Sequence, residues 1–160
     1  MELELDVKMS ANALYDYLLY HMYSSFQGII GAIAGIFLVV LFLLGYGPLY
    51  LIAGLVVLAY LPYTLFIRSR QQFLNTPAFK EVLHYEFNDE GMSVSQNEMK
   101  ESVPWENIHK AVSTPNNIVI YTSKVNASIF PKKDLGDKKA LLIQMISTHL
   151  DPKKVKIRGN

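Results

Sequence analysis

Between Phe26 and Ile67 the chain carries no Asp, Glu, Lys, Arg or His across 42 residues. Two apolar runs, Phe26–Leu44 and Leu49–Ile67, are separated by Gly45-Tyr46-Gly47-Pro48, a turn sequence. Each run holds 19 residues. At about 1.5 Å per helical residue such a run spans roughly 28 Å. The hydrocarbon core of a bilayer is about 30 Å thick. The pattern predicts two membrane-spanning helices joined by a tight loop. A core strand of a soluble protein would be far shorter.

Charge is partitioned around this stretch. Residues 1–25 carry four acids (Glu2, Glu4, Asp6, Asp16) against Lys8, a net −3. Residues 68–160 carry 14 Lys and Arg against 10 Asp and Glu, a net +4. The later segment is long enough for one small core of its own. There are no cysteines, which removes disulfides, thiolate nucleophiles and Cys-based metal sites. The long acidic start lacks the basic n-region of a signal peptide, so both apolar runs are expected to stay in the mature chain. Arg68 and Arg70 follow the second run directly. By the positive-inside rule that end faces the cytoplasm, and a hairpin brings the N-terminus to the same side. The expected location is the cytoplasmic membrane, multi-pass, with both termini cytoplasmic.

Taken in order, Glu2 to Lys8 alternates polar and apolar, the period of a half-buried strand. A lone strand is not stable, so this one is expected to return as an edge of a sheet formed after the hairpin. Ser10 is a cap for a helix running to about Ser24. That helix is rich in tyrosine and either lies along the membrane interface or packs on the soluble domain. Residues 68–80 read as a linker, broken at Thr76-Pro77. Six short strands follow at about 8–12-residue spacing: Val82–Phe87, Met92–Ser95, Lys100–Pro104, Ile108–Ser113, Ile118–Thr122 and Ala127–Phe130. One helix over Asp134–Leu150 closes the series, and Pro152 ends it. The fold expected is a membrane helical hairpin plus an α+β domain over 81–150. That domain reads as a small antiparallel barrel or sandwich closed by a C-terminal helix, with a basic tail over 151–160.

Within the first span Gly28, Gly31 and Gly35 fall on one helix face, and Gly31 and Gly35 form a G-x-x-x-G pair. Small residues let helix backbones approach closely in lipid. The stripe can serve a homo-oligomer, or pack on Ala53, Gly54 and Ala59 of the second span. Neither span holds an intramembrane acid, base or histidine, which counts against an ion or proton pathway. Arg68, Arg70, Lys153, Lys154, Lys156 and Arg158 are the candidate cations for anionic headgroups, each worth about 1 kcal/mol near such a surface.

The chain resembles the YcxB-like family of small bacterial membrane proteins. The resemblance is carried by Tyr85-x-Phe87-x-x-x-Gly91, Val103-Pro104-Trp105-x-x-Ile108 and Ile129-Phe130-Pro131-Lys132, and by the order of elements. It implies a pleckstrin-homology-like β-domain attached to a membrane hairpin, and it implies no reaction. The residues agree on the last point. His21, His84, His109 and His149 lie on different elements without an H-E-x-x-H spacing, and no serine sits in a G-x-S-x-G elbow. Trp105, the only tryptophan, reads as core rather than as an exposed anchor. The function expected is non-catalytic, without a cofactor or metal. The partners expected are the lipid bilayer and either a protein partner or a second copy of the chain, not nucleic acid. The domain would bind a protein, a peptide or lipid headgroups at the cytoplasmic surface. The alternative is a subunit of a membrane transport or export assembly that contributes its hairpin.

Overall fold

The computed structural model describes residues 2–97 and 99–157. Strand β1 (Leu3–Lys8) buries Leu3, Leu5 and Val7 and exposes the residues between them, as its alternation requires. It pairs antiparallel with β2 (Val82–Phe87) across nearly 80 residues of chain, Leu3 opposite Phe87 and Val7 opposite Leu83. The predicted return of the N-terminal strand is therefore observed. β3 (Gly91–Gln96) and β4 (Met99–Pro104) complete a four-stranded antiparallel sheet in the order β1-β2-β3-β4.

A second sheet forms from β5 (Lys110–Ser113), β6 (Asn117–Tyr121), β7 (Ala127–Pro131) and β8 (Val155–Lys156), in the order β7-β6-β5-β8. The expected barrel is not closed. β4 reaches β5 through a 3-10 turn at Trp105–Asn107 rather than by pairing, so the structure is two sheets, each with its own edges. Their inner faces share one core, with Leu5, Tyr85 and Phe87 from one sheet and Ile118, Ile120 and Phe130 from the other. Tyr85 meets Phe130 edge-on at 4.7 Å between ring centroids.

The single C-terminal helix is also corrected. Gly136 adopts φ +48, which favours glycine. It separates a short α4 (Lys132–Leu135) from α5 (Lys138–His149). Leu142, Met145 and Ile146 of α5 enter the shared core. The basic tail is not a free extension. Asp151 caps a 3-10 turn over Pro152–Lys154, and β8 then runs parallel to β5.

Helix α1 (Ala11–Tyr23) starts at Ser10, whose hydroxyl accepts from the Ala13 amide at 3.2 Å. It does not stand apart from the domain. Ala13 and Leu14 pack on Met9 and Ile129, and Tyr17 and Tyr20 pack on Val112, Val119 and Tyr121. Of the two readings of this helix, packing on the β-domain is the one observed. Ser25 caps α2 (Phe26–Leu43) after a tight corner, where the Gly28 backbone meets the Met22 carbonyl. The loop after α2 holds Gly45 at φ +89 and Gly47 at φ +110. α3 (Pro48–Asn75) then runs past the second apolar stretch into the expected linker and stops before Thr76-Pro77. α2 and α3 are both long and apolar enough to cross a membrane, and only 11% of each apolar window is buried. A core helix of a soluble domain would be mostly buried.

Candidate functional site

The site lies where α1 meets the second sheet, because there the helix leading into the apolar hairpin is fixed to the β-domain. Ala13, Asp16, Tyr17 and Tyr20 share one helical face by their i, i+3, i+4 and i+7 spacing. The face is apolar and aromatic except for Asp16, and Asp16 is 9% exposed. A buried carboxylate is costly unless hydrogen-bonded. The β5–β6 turn, Thr114-Pro115-Asn116-Asn117, supplies the donors. The Thr114 hydroxyl and the Asn117 amide nitrogen (2.6 Å) donate to Asp16 Oδ2, and Asn116 donates to Oδ1 at 3.3 Å. Asn117 Nδ2 also donates to the Ala13 carbonyl at 3.0 Å. The turn closes on itself through the Asn117 amide and the Thr114 hydroxyl, 3.0 Å apart. Lys132 Nζ donates to the carbonyls of Thr114 (2.6 Å) and Pro115 (3.3 Å). Burial and the nearby Lys139 charge hold the Lys132 ammonium below its usual pKa, partly offset by Asp16. Asn117 Oδ1 is buried without a partner. A cleft of about 310 Å³ opens beside this cluster, lined by Ser10, Asn12, Asn116, Pro131, Lys132 and Lys133.

One helical turn further on, Tyr121 gathers a second cluster. The His21 ring stacks near it at 6.1 Å, Tyr17 lies at 6.0 Å, and the Lys110 ammonium sits 4.5 Å above its ring. Burial, then the nearby Tyr17 and Tyr20 hydroxyls, raise the Tyr121 phenol well above its usual range.

The outer face of the first sheet is wet. His84 Nδ1 lies 2.6 Å from Asp6, and its Nε2 lies 3.9 Å from Glu86. Lys100 pairs with Glu86 at 2.5 Å. The Asp6 hydrogen bond leads the causes that raise His84, and the Lys100 hydrogen bond leads those that lower Glu86. No group of three or more His, Asp or Glu among the described residues is placed to hold a metal ion.

The sequence-derived candidates fall as follows. A Cβ on Gly35 would stand 2.6 Å from Leu58 Cγ, one on Gly54 2.8 Å from Val39, and one on Gly31 3.6 Å from Leu61. Gly31 and Gly35 therefore face α3 of the same chain, and Gly28 faces the α1–α2 corner. Arg68 and Arg70 are exposed, with Arg70 4.5 Å above the Phe66 ring. Lys153 and Lys156 are exposed, whereas Lys154 turns inward and donates to the Ile108 carbonyl at 2.9 Å. Arg158 lies outside the described residues. Trp105 is core, 5% exposed, stacked on His149 at 4.9 Å and donating to the Asn88 carbonyl at 2.8 Å. The Asp16 latch was not foreseen. Its signal was there: one acid in the middle of an apolar helix face, and a polar turn between two apolar strands.

Two packed sheets, a closing helix and an apolar hairpin define an α+β protein. The family described as YcxB-like protein matches residues 87–146, from the end of β2 into α5. The family resemblance is therefore shown over that segment; β1, α1 and the hairpin lie outside it. No curated protein and no solved structure matches the chain.

Proposed function

We propose that this chain is a non-catalytic integral membrane protein that holds a small β-domain against the cytoplasmic membrane surface, where it binds a protein, a peptide or lipid headgroups. The observation that carries this reading is the division of labour between α1 and the hairpin. Ile33, Phe37, Ile52 and Val56 are 59–61% exposed along α2 and α3. Apolar surface of that extent needs a cover, and the length of both helices suits a bilayer. α1 is meanwhile built into the second sheet, so the domain cannot swing free of the helices. The strand order and the helix that closes one end support a pleckstrin-homology-like reading of the domain.

Orientation is the direct test. The chain has no cysteine, so single substitutions give clean labelling sites. In intact cells a membrane-impermeant maleimide should label Tyr46→Cys in the hairpin loop. It should label Lys124→Cys in the β-domain only after permeabilisation. Labelling of Lys124→Cys in intact cells would overturn the cytoplasmic placement. Release of the chain from membranes by alkaline carbonate would overturn the spanning hairpin.

A further inference from the structure

The two ends of the sandwich differ. α5 and Trp105 plug the end at Leu3 and Phe87. The other end, where β1 stops at Lys8 and β2 starts at Val82, is covered in part by Met9, Leu14 and Phe79. Two clefts meet there and share Leu83. One, of about 270 Å³, is lined by Tyr17, Gln72, Phe79, Leu83 and Val125 among others. The second, of about 550 Å³, runs over Leu83, Val94 and Met99 to Lys100 and Glu101. Together they form a groove that runs from the end of α3 along the inner face of the first sheet to its β4 edge, with Leu83, Val94 and Met99 as the apolar lining and Gln96 and Glu101 as the polar side chains at the β4 edge.

The exposed apolar residues point to the same end. Among the described residues after Ile67, the large hydrophobic side chains left exposed are Leu74, Val82, Met99 and Val125, at 50–78%. Leu74 lies at the end of α3, Met99 and Val125 line the groove, and Val82 lies on the outer face of the first sheet. The length of α3 places this groove relative to a bilayer. Its 28 residues extend about 42 Å, and a bilayer with its headgroup layers is about 40–45 Å thick. With Pro48 at one surface, Gln72 stands in the opposite headgroup layer, and the groove opens beside it. Lys80 and Lys124 are exposed next to Phe79 and Val125, at the level of lipid phosphates. Glu81, the acid at this mouth, is engaged by the Asn97 amide at 2.8 Å.

We propose that this groove is a seat for a lipid acyl chain: this end of the sandwich rests on the bilayer, and the alkyl chain of a neighbouring phospholipid lies along Leu83 and Val94. The seat rests on the membrane reading above and names the lipid part that the β-domain takes. It is separate from the polar cleft beside Asp16.

The test uses the full chain in phosphatidylcholine vesicles, with and without phosphatidylcholine carrying a nitroxide on its acyl chain. Single cysteines at Ile33, Met99, Val125 and Ser102 carry an environment-sensitive fluorophore. Nitroxide lipid should quench the labels at Met99 and Val125 at least twofold, as it quenches the span label at Ile33. The Ser102 label, on the outer face of the first sheet, should be unaffected. Val94→Glu, which sets a second carboxylate beside Glu101 in the middle of the groove, should return the Met99 label to the Ser102 level, whereas Ser93→Glu on the outer face should not. If Ile33 is quenched while Met99 and Val125 behave like Ser102, the seat is overturned and the membrane reading stands. If Ile33 is not quenched either, the membrane reading itself fails. Quenching at Met99 that survives Val94→Glu would mean that the label dips into lipid without a chain in the groove, which also overturns the seat.

Discussion

The two sheets are alike in size and opposite in exposure. In the first, β1 alternates buried and exposed at every residue, and its outer face carries Glu4, Asp6, His84 and Glu86 in water. In the second, all five residues of β6 are buried, because the inner face meets the shared core and the outer face lies under α1. A strand covered on both sides reads as a continuous apolar run, and one covered on one side alternates. Ile118-Val119-Ile120-Tyr121 is such a run. The cover comes from a helix about 100 residues earlier, the same helix that leads into the hairpin. The domain's second core therefore includes the helix that leads into the apolar hairpin.

The largest expected effect comes from placing the same charge on the two outer faces. Val119 is fully buried beneath α1. Val119→Asp puts an unpaired carboxylate there, at a cost of about 4 kcal/mol or more. Ser93 lies on the outer face of the first sheet, hydrogen-bonded only to Ser102 there. Ser93→Asp should change stability by no more than about 0.5 kcal/mol. Thermal melts followed by fluorescence of the buried Trp105 compare the two. Equal losses would mean that α1 does not cover the second sheet in solution.

The Asp16 latch comes next. Asp16→Ala removes the carboxylate acceptor, leaving the Thr114 hydroxyl with the Asn117 carbonyl at 3.2 Å and the Asn117 side-chain nitrogen with the Ala13 carbonyl, and should cost about 3 kcal/mol. Asp16→Asn keeps one acceptor oxygen and should cost less, about 1–2 kcal/mol. Amide exchange should also speed up along α1 while β1 and β2 keep their protection. A loss under about 0.5 kcal/mol for Asp16→Ala would mean that aromatic packing alone fixes the helix.

How legible each part was follows from how local its cause is. The hairpin was plain in the sequence, because absence of charge over a membrane's length needs no partner to interpret. β1 was plain too, since its alternation demands a sheet and only one was on offer. The choice between barrel and sandwich was not, because closure depends on how β4 turns at Trp105, which strand periodicity does not encode. β8 has two residues, too few for any period to register. Gly136 lies inside the apolar-periodic stretch that reads as one helix, but its positive φ ends one helix before another starts. Asp16 was counted with the acidic start of the chain. Its burial arises only when the β5–β6 turn comes up against it, a contact across 98 residues to Thr114.

The smallest effect is the most exacting for the comparison, because it sets a hydrogen-bonded aspartate on the first sheet, Asp6, against the one on the helix that covers the second, Asp16. Asp6 and His84 lie 2.6 Å apart, but their side chains are 71% and 38% exposed. The hydrogen bond to Asp6 leads in raising His84 above its ordinary value; desolvation opposes it, and the Asp6, Glu4 and Glu86 charges add to the rise. A raised histidine adds stability that is fully present below its unfolded pKa, about 6.5. That stability is lost as pH rises through the folded value. Solvent screens the pair, so its contribution is below about 1 kcal/mol. Asp6→Asn should lower the His84 titration midpoint, read by NMR, towards the ordinary value. It should cost under about 1 kcal/mol at pH 5.5 and nothing measurable at pH 9. A loss as large as that of Asp16→Ala, or one that persists at pH 9, would mean that the first sheet's outer face is covered too. The contrast between a wet sheet and one covered on both faces would then fail.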